Sequence, residues 1–204
     1  KHLEYLEQNN FNVIPLDKML KTLRAGEQLP EKSIAITFDD GYISIYDTAF
    51  PMLQSYGFPF TLFLSTGPID KQQQNYMNWD QIREMSRAGV IIANHMVEHP
   101  YMLERGSNET DVDWINQLQN ELLVAESRIE QETGQSHRYL AYPYGEFDLE
   151  IKLMLKNNGF IGLAQNSGAI GVNSDFLALP RFPLASIYAN LDTAKIKLDT
   201  KAFN

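Results

Sequence analysis

The sequence predicts an α/β fold, a barrel of parallel strands alternating with helices, and three observations carry that expectation. First, residues 34–38 form an apolar, β-branched run that stops at Asp39-Asp40-Gly41. A run without polar alternation reads as a strand buried on both faces, the kind found at the centre of parallel sheets. Second, strand, helix, strand, helix and strand patterns follow one another within about 60 residues, the signature of a parallel α/β architecture. Third, the residues able to do chemistry fall directly after strand patterns, at the carboxyl ends where such folds keep their sites.

Taken in order, Leu3, Leu6 and Phe11 suggest an amphipathic helix over residues 3–8, followed by a short strand at 12–15. Asp17 reads as the N-cap of a helix with Met19, Leu20 and Leu23 inward, closed at Gly26. This preface, residues 1–30, is expected to pack outside the barrel. Residues 44–56 place Tyr46, Ala49, Phe50 and Leu53 at helical spacing and stop at Gly57. Residues 60–64 are a second buried strand, 79–88 a helix closed by Gly89, and 90–93 a third strand. Residues 101–113 are polar, with Gly106 in their middle, and read as a loop beside the site, a candidate substrate wall. Residues 114–133 form a long helix with Leu118, Leu122, Ala125 and Ile129 on one core-facing stripe, ending at Gly134. Residues 139–141 return as a strand, 149–155 as a helix, 160–163 as a strand, and 177–179 as a last strand before Pro180-Arg181. Residues 190–204 look like a terminal helix fraying into a polar tail. The pass yields about seven strands in a single domain: the preface, a barrel at 31–185, and a terminal helix and tail at 186–204.

Composition bounds the function. The 204 residues, 44% hydrophobic and 21% charged, suffice for one well-buried domain and are too few for two. A net charge of −9 without any basic block argues against nucleic acid and anionic membranes as partners. Cysteine is absent, so disulfides and thiolate metal sites are excluded. No stretch reaches the length of a transmembrane helix and no signal peptide is visible. The chain opens on Lys1 and reads as processed or trimmed; the expectation is an exported bacterial protein, periplasmic, cell-envelope or secreted, whose signal is not in this chain.

Asp39-Asp40-Gly41 in isolation would be a polar turn. Its company changes that reading. The strand at 90–93 runs into Asn94-His95-Met96-Val97-Glu98-His99-Pro100, and a spacing of four places two imidazoles on one face of a helical turn. One strand-end carboxylate and this pair supply three protein ligands and leave a position open for water, the arrangement of a catalytic metal. Such ligands suit Zn²⁺ and also accept Co²⁺, Ni²⁺ or Fe²⁺. Tyr142-Pro143-Tyr144-Gly145, after the strand at 139–141, reads as a rigid turn; beside a site it would offer a backbone N–H to an oxyanion.

TFDDG at 37–41, NHxxxHP at 94–100 and AYPYG at 141–145, in that order, resemble the polysaccharide deacetylases, the carbohydrate esterases built on the NodB homology domain. The resemblance covers residues 13–184. It implies a distorted (β/α) barrel of about seven parallel strands, a bound divalent metal, and hydrolytic removal of N-acetyl or O-acetyl groups from an acetylated polysaccharide or oligosaccharide. It assigns Asp39 as the base, Asp40, His95 and His99 as metal ligands, and the Tyr144 backbone to the oxyanion. Tyr42, Tyr101 and Tyr142 are the aromatics expected to bind sugar, with Trp79 and Tyr144 further candidates. The preface and the LPRFPL segment are most similar to the exopolysaccharide, poly-N-acetylglucosamine, branch.

Three departures from the family pattern matter. The arginine that opens the third motif is replaced by Ala141, and Arg181 is the residue expected to supply its charge to Asp39. Met96 stands where a small hydroxyl residue is usual. No histidine follows His137, so the family's Leu-x-His acid is missing: either Asp39 carries the proton both ways, the favoured expectation, or a residue from a loop or partner substitutes, or turnover is slow. These gaps keep a second reading open, a catalytically impaired metal-binding carbohydrate-recognition domain. A non-haem iron oxygenase is disfavoured by the βα pattern.

Overall fold

The computed structural model describes residues 1–184 and 189–199; the expected polar tail beyond them, and residues 185–188, lie outside the described residues. Among the described residues seven strands form: β1 (Asn12–Val13), β2 (Ser33–Ile34), β3 (Ile36–Phe38), β4 (Phe60–Leu64), β5 (Ile91–Asn94), β6 (Tyr139–Ala141) and β7 (Ile161–Leu163). β3 to β7 pair in chain order as one parallel sheet, and β1 pairs with β2, also in parallel. Sequential parallel order with helices between strands curls the sheet into a distorted (β/α) barrel.

The helices begin and end where local chemistry lets them. They are α1 (His2–Gln8), α2 (Leu16–Arg24), α3 (Phe50–Tyr56), α4 (Thr66–Asp70), α5 (Trp79–Arg87), α6 (Asp111–Thr133), α7 (Leu149–Asn157) and α8 (Leu191–Asp199). A π-helical turn, Ile45–Ala49, runs into α3, which stops at Gly57 with φ 65°, a left-handed cap that suits glycine. Asn78 and Gln81 close a reciprocal capping box on α5. Thr110 caps α6 by accepting the Asp113 N–H at 3.1 Å. The expected cap at Asp17 is not formed: Pro15 holds the N-cap position of α2 and Asp17 lies in its first turn. Pro15 has no side-chain acceptor to offer, and Asp17 instead accepts the Lys18 N–H at 2.7 Å from within the first turn.

Three further expectations are corrected. The strand expected at the centre of the sheet, residues 34–38, is interrupted at Ala35, and its second half is the edge strand β3, half-buried throughout. An apolar run reports burial but not which neighbours supply it. The last strand expected at 177–179 reduces to a single parallel bridge, Leu163 to Leu179. The preface does not lie wholly outside the barrel. Leu16 and Leu20 of α2 join Phe63, Ile91, Ala93, Ala141, Ile161 and Leu163 in the barrel interior. Strands this short cannot fill their own lumen, and two leucines on one helical face do so, each contributing about 1.5–3 kcal/mol by burial.

Outside the sheet, alternation turns Leu62, Leu64 and Ile92 toward α3 and α5. Leu140 and Tyr142 face α6 and α7, among Leu118, Leu122, Ile151 and Phe160. Among the described residues, the seam between β3 and the segment after Leu179 carries no strand pairing, and Arg181 spans it by donating to Thr37 Oγ1 at 3.2 Å.

Candidate active site

Three chain segments meet at the carboxyl end of the sheet. Gly41 follows β3, and just before it Asp40 turns with φ 76°; after β5 the chain turns at Met96 (φ 65°) and again at His99 (φ 54°). Each such turn strains a side-chain-bearing residue by about 1–3 kcal/mol, and a cluster of them marks a functional site. Tyr144, after β6, is a fourth, with φ 54°. The turns converge Asp40, His95 and His99, whose ligand atoms all lie within 4.8 Å of one another.

The geometry of that trio is specific. His95 is buried, and its Nδ1 stands 2.7 Å from the Ala141 carbonyl, so Nδ1 carries the proton and Nε2 presents a lone pair. His95 Nε2 is 3.3 Å, and His99 Nε2 3.4 Å, from the same oxygen, Asp40 Oδ1. Tetrahedral bonds of about 2.0–2.1 Å require ligand atoms about 3.3–3.4 Å apart. The two edges from Asp40 Oδ1 meet this spacing, and two imidazoles with one carboxylate are donors that suit a divalent transition ion. Burial, then the neighbouring His95, holds the His99 pKa below its ordinary value, partly opposed by Asp40, and keeps the imidazole neutral as a ligand must be.

Asp39, next to the trio, meets Arg181, which donates Nη1–H to Oδ1 at 2.7 Å and Nη2–H to Oδ2 at 2.8 Å. Arg181 is itself fixed, donating Nε–H to the Ala164 carbonyl at 2.9 Å and lying over the Phe63 ring. Burial alone would raise the Asp39 pKa. The Arg181 hydrogen bonds and charge, helped by the two histidines, outweigh it and hold the carboxyl below the usual carboxylate range.

The expected aromatics divide. Tyr42 and Tyr144 are exposed beside the site. Tyr101 is also exposed, but its ring stacks flat on Tyr144 at 4.0 Å, and Tyr144 meets His99 edge-on at 4.4 Å. The 101–113 loop is pinned rather than free: Leu103 N–H donates to Glu146 Oε2 at 3.2 Å, and Trp114 Nε1–H to the Met102 carbonyl at 3.1 Å. Tyr142, expected to bind sugar, is fully buried; its hydroxyl donates to the Leu177 carbonyl at 2.5 Å and its ring packs on Phe147. Strand alternation explains the correction: Ala141 takes the inner face, so Tyr142 must take the outer one. Trp79 is likewise engaged elsewhere, donating to Asp70 at 2.7 Å beneath Arg128.

Two groups of neighbours had no sequence signal as site residues. Tyr76 arrives on a polar segment that bridges antiparallel to Tyr42, with Ile43 N–H donating to the Asn75 carbonyl at 2.7 Å; the two rings lie 4.7 Å apart. Burial, then its hydrogen bond with Tyr42, raises the Tyr76 pKa. The second group is Ser65-Thr66-Gly67, at the end of β4. Ser65 N–H reaches the Asp40 carbonyl at 3.3 Å and Ser65 Oγ the His95 carbonyl at 3.0 Å. Thr66 and Gly67 N–H donate to the Met96 and Val97 carbonyls at 3.2 and 2.8 Å. Glycine is needed there, since a Cβ at 67 would stand 2.7 Å from the Val97 carbonyl oxygen. One strand end thus ties the aspartate and histidine segments together.

Comparison with known proteins places these features in a family. The sequence profile described as polysaccharide deacetylase matches residues 26–162. A poly-β-1,6-N-acetyl-D-glucosamine N-deacetylase of Staphylococcus epidermidis is 28% identical over 184 residues, which is 88% of this chain and 63% of the relative. One from Escherichia coli K12 is 22% identical over 216 residues, 89% of this chain and 32% of the relative. The chain thus spans less than two thirds of the length of these curated relatives. The de-N-acetylase of Aggregatibacter actinomycetemcomitans superposes with a TM-score of 0.84 at 21% identity, covering 96% of this chain and 86% of that one. The BpsB deacetylase domain of Bordetella bronchiseptica gives 0.79 at 23% identity, covering 87% and 81%. At these identities the structures share the fold.

Proposed function

Because this chain belongs to the polysaccharide deacetylase family, we propose that it is a metal-dependent hydrolase removing N-acetyl groups from an acetylated glucosamine polymer or oligomer. The observation that carries the reading is the pairing of two differently prepared carboxylates: Asp40 beside two histidine nitrogens at 3.3 and 3.4 Å, and Asp39 ionised against Arg181. A metal site alone needs only the first. The names of the relatives support a poly-β-1,6-N-acetylglucosamine type of substrate, and an exported setting would suit such a polymer.

Asp40, His95 and His99 would hold the metal, most readily Zn²⁺ given two imidazoles and one carboxylate. When bound, the ion supplies Lewis acidity to the acetyl carbonyl and acidity to a water. Asp39, kept ionised by Arg181, accepts the proton of the attacking water. Tyr144, whose ring lies 4.4 Å from His99, would present its backbone N–H to the carbonyl oxygen as that oxygen gains charge. Asp39 then returns the proton to the departing amine, in place of the family's C-terminal histidine. Arg181 fills the role vacated at Ala141 from across the seam.

Acetate release from β-1,6-linked N-acetylglucosamine oligomers and from chitooligosaccharides tests the reading, with metal-stripped protein, with Zn²⁺ restored, and with Asp39→Asn. Zinc should restore release, and Asp39→Asn should lower kcat by about 10²-fold or more while zinc binding persists. Zinc binding without release in the parent protein would favour the impaired recognition domain. An Asp39→Asn rate equal to the parent would remove the base assignment.

A further inference from the structure

Glu126 is a carboxylate for which the chemistry above has no use. It lies on α6, buried, and the donors it meets are neutral: Asn94 Nδ2 at 3.1 Å, Ser136 Oγ at 3.1 Å and the Arg138 backbone N–H at 3.0 Å. A buried carboxylate is expensive beside an apolar side chain of the same size. Its position suggests what is gained.

Asn94 is the last residue of β5, fully buried. Alternation along this strand turns Ala93 and His95 into the barrel and sends Ile92 and Asn94 to the side covered by helices, where α6 lies. The Asn94 amide has one satisfied orientation. Nδ2 donates to the Leu122 carbonyl at 2.9 Å and to Glu126 Oε2, and Oδ1 accepts the Met96 N–H at 2.9 Å. Turned over, it would set a donor against the Met96 N–H and an oxygen against two acceptors. Met96 is where the chain takes its left-handed turn between the two histidines, with no glycine to make that turn easy.

We propose that Glu126, acting through Asn94, is a positioning residue for the metal-ligand loop: it fixes the Asn94 amide, which holds the Met96 N–H and so the turn that aims His95 and His99 at Asp40. The Ser65-Thr66-Gly67 segment holds the carbonyls of this loop; the Asn94 relay holds an amide. The proposal rests on the metal reading given above, and its test is a binding measurement rather than turnover.

Zn²⁺ affinity of the full chain is measured by competition with a chromogenic chelator, well below the unfolding temperature, with circular dichroism and metal-free melting curves to register any loss of fold. Glu126→Met should weaken binding about tenfold, and Asn94→Ala by at least as much. The double variant should bind no more weakly than Asn94→Ala alone, as members of one relay require. Ser136→Ala, which removes a Glu126 partner away from the relay, should leave affinity within about twofold of the parent. A purely structural role for Glu126 would lower the melting temperature and leave the affinity of the folded protein untouched. Parent-like affinity in both single variants, or losses that multiply in the double variant, would overturn the proposal. A parent protein that takes up no Zn²⁺ would overturn the metal reading and this one with it.

Discussion

At the amino ends of its strands the barrel is filled by Leu16 and Leu20 of α2, seated among Ile91, Ile161 and their neighbours. At the carboxyl ends the same strands open onto Asp39, Asp40 and His95, and four side-chain-bearing residues there adopt left-handed turns. The first end gains from burying apolar surface. The second spends backbone strain and buried polar groups to hold a geometry, and is stable because it is clamped by Ser65, Gly67 and Asn94 to strands that are stable for other reasons. Stability and chemistry should therefore separate under mutation.

The largest expected effect is at the filled end. Leu20→Ala leaves a cavity in the interior and should lower unfolding free energy by about 2–5 kcal/mol, read from urea denaturation. Zinc affinity and kcat of the molecules still folded should be unchanged; if they fall together with stability, the two ends are coupled and the contrast fails.

Next is Arg181→Gln at the open end, expected to reduce kcat/KM about 10²-fold near neutrality. Its pH dependence carries a sign. The Asp39 pKa is depressed in the folded protein, so the Arg181 pairing contributes fully above the unfolded carboxylate value, near 3.9, and is lost as pH falls through the folded value. With Arg181 gone, burial is left to raise that pKa, and the acidic limb of the kcat/KM profile should move to higher pH. A limb that stays in place would show that another group keeps Asp39 ionised.

The smallest effect sharpens the comparison within the open end. Gly67→Ala brings a Cβ to 2.7 Å from both the Val97 carbonyl oxygen and Glu98 Oε1. It should weaken zinc binding roughly tenfold with little change in the melting temperature of the metal-free protein. Unchanged affinity would mean that the His99 segment can yield without moving its ligand.

What could be read from the sequence follows the same division. Asp39, Asp40, His95 and His99 were legible because they interrupt apolar runs at strand ends, and Arg181 because the vacancy at Ala141 called for a charge. Tyr142 was misplaced by a single step of alternation: a turn motif gives the order of its residues but not which one inherits the inner face. The filling role of Leu16 and Leu20 was hidden because helical periodicity identifies an inward face without saying what it faces. Tyr76, Gly67 and Glu126 left no trace as site residues. They act through backbone contacts and through pairs distant in sequence, such as Asn94 with Glu126, 32 positions apart.

Arg181 lies 142 positions after the carboxylate it orients. During synthesis the ligand segments and most of the sheet emerge first, and the guanidinium that prepares Asp39 arrives only with the closing segment. A chain halted or nicked before residue 181 would keep its metal ligands yet carry an unaimed, more readily protonated Asp39. On the proposed mechanism, hydrolytic competence would come late in the life of the chain, only once Arg181 has docked on Asp39.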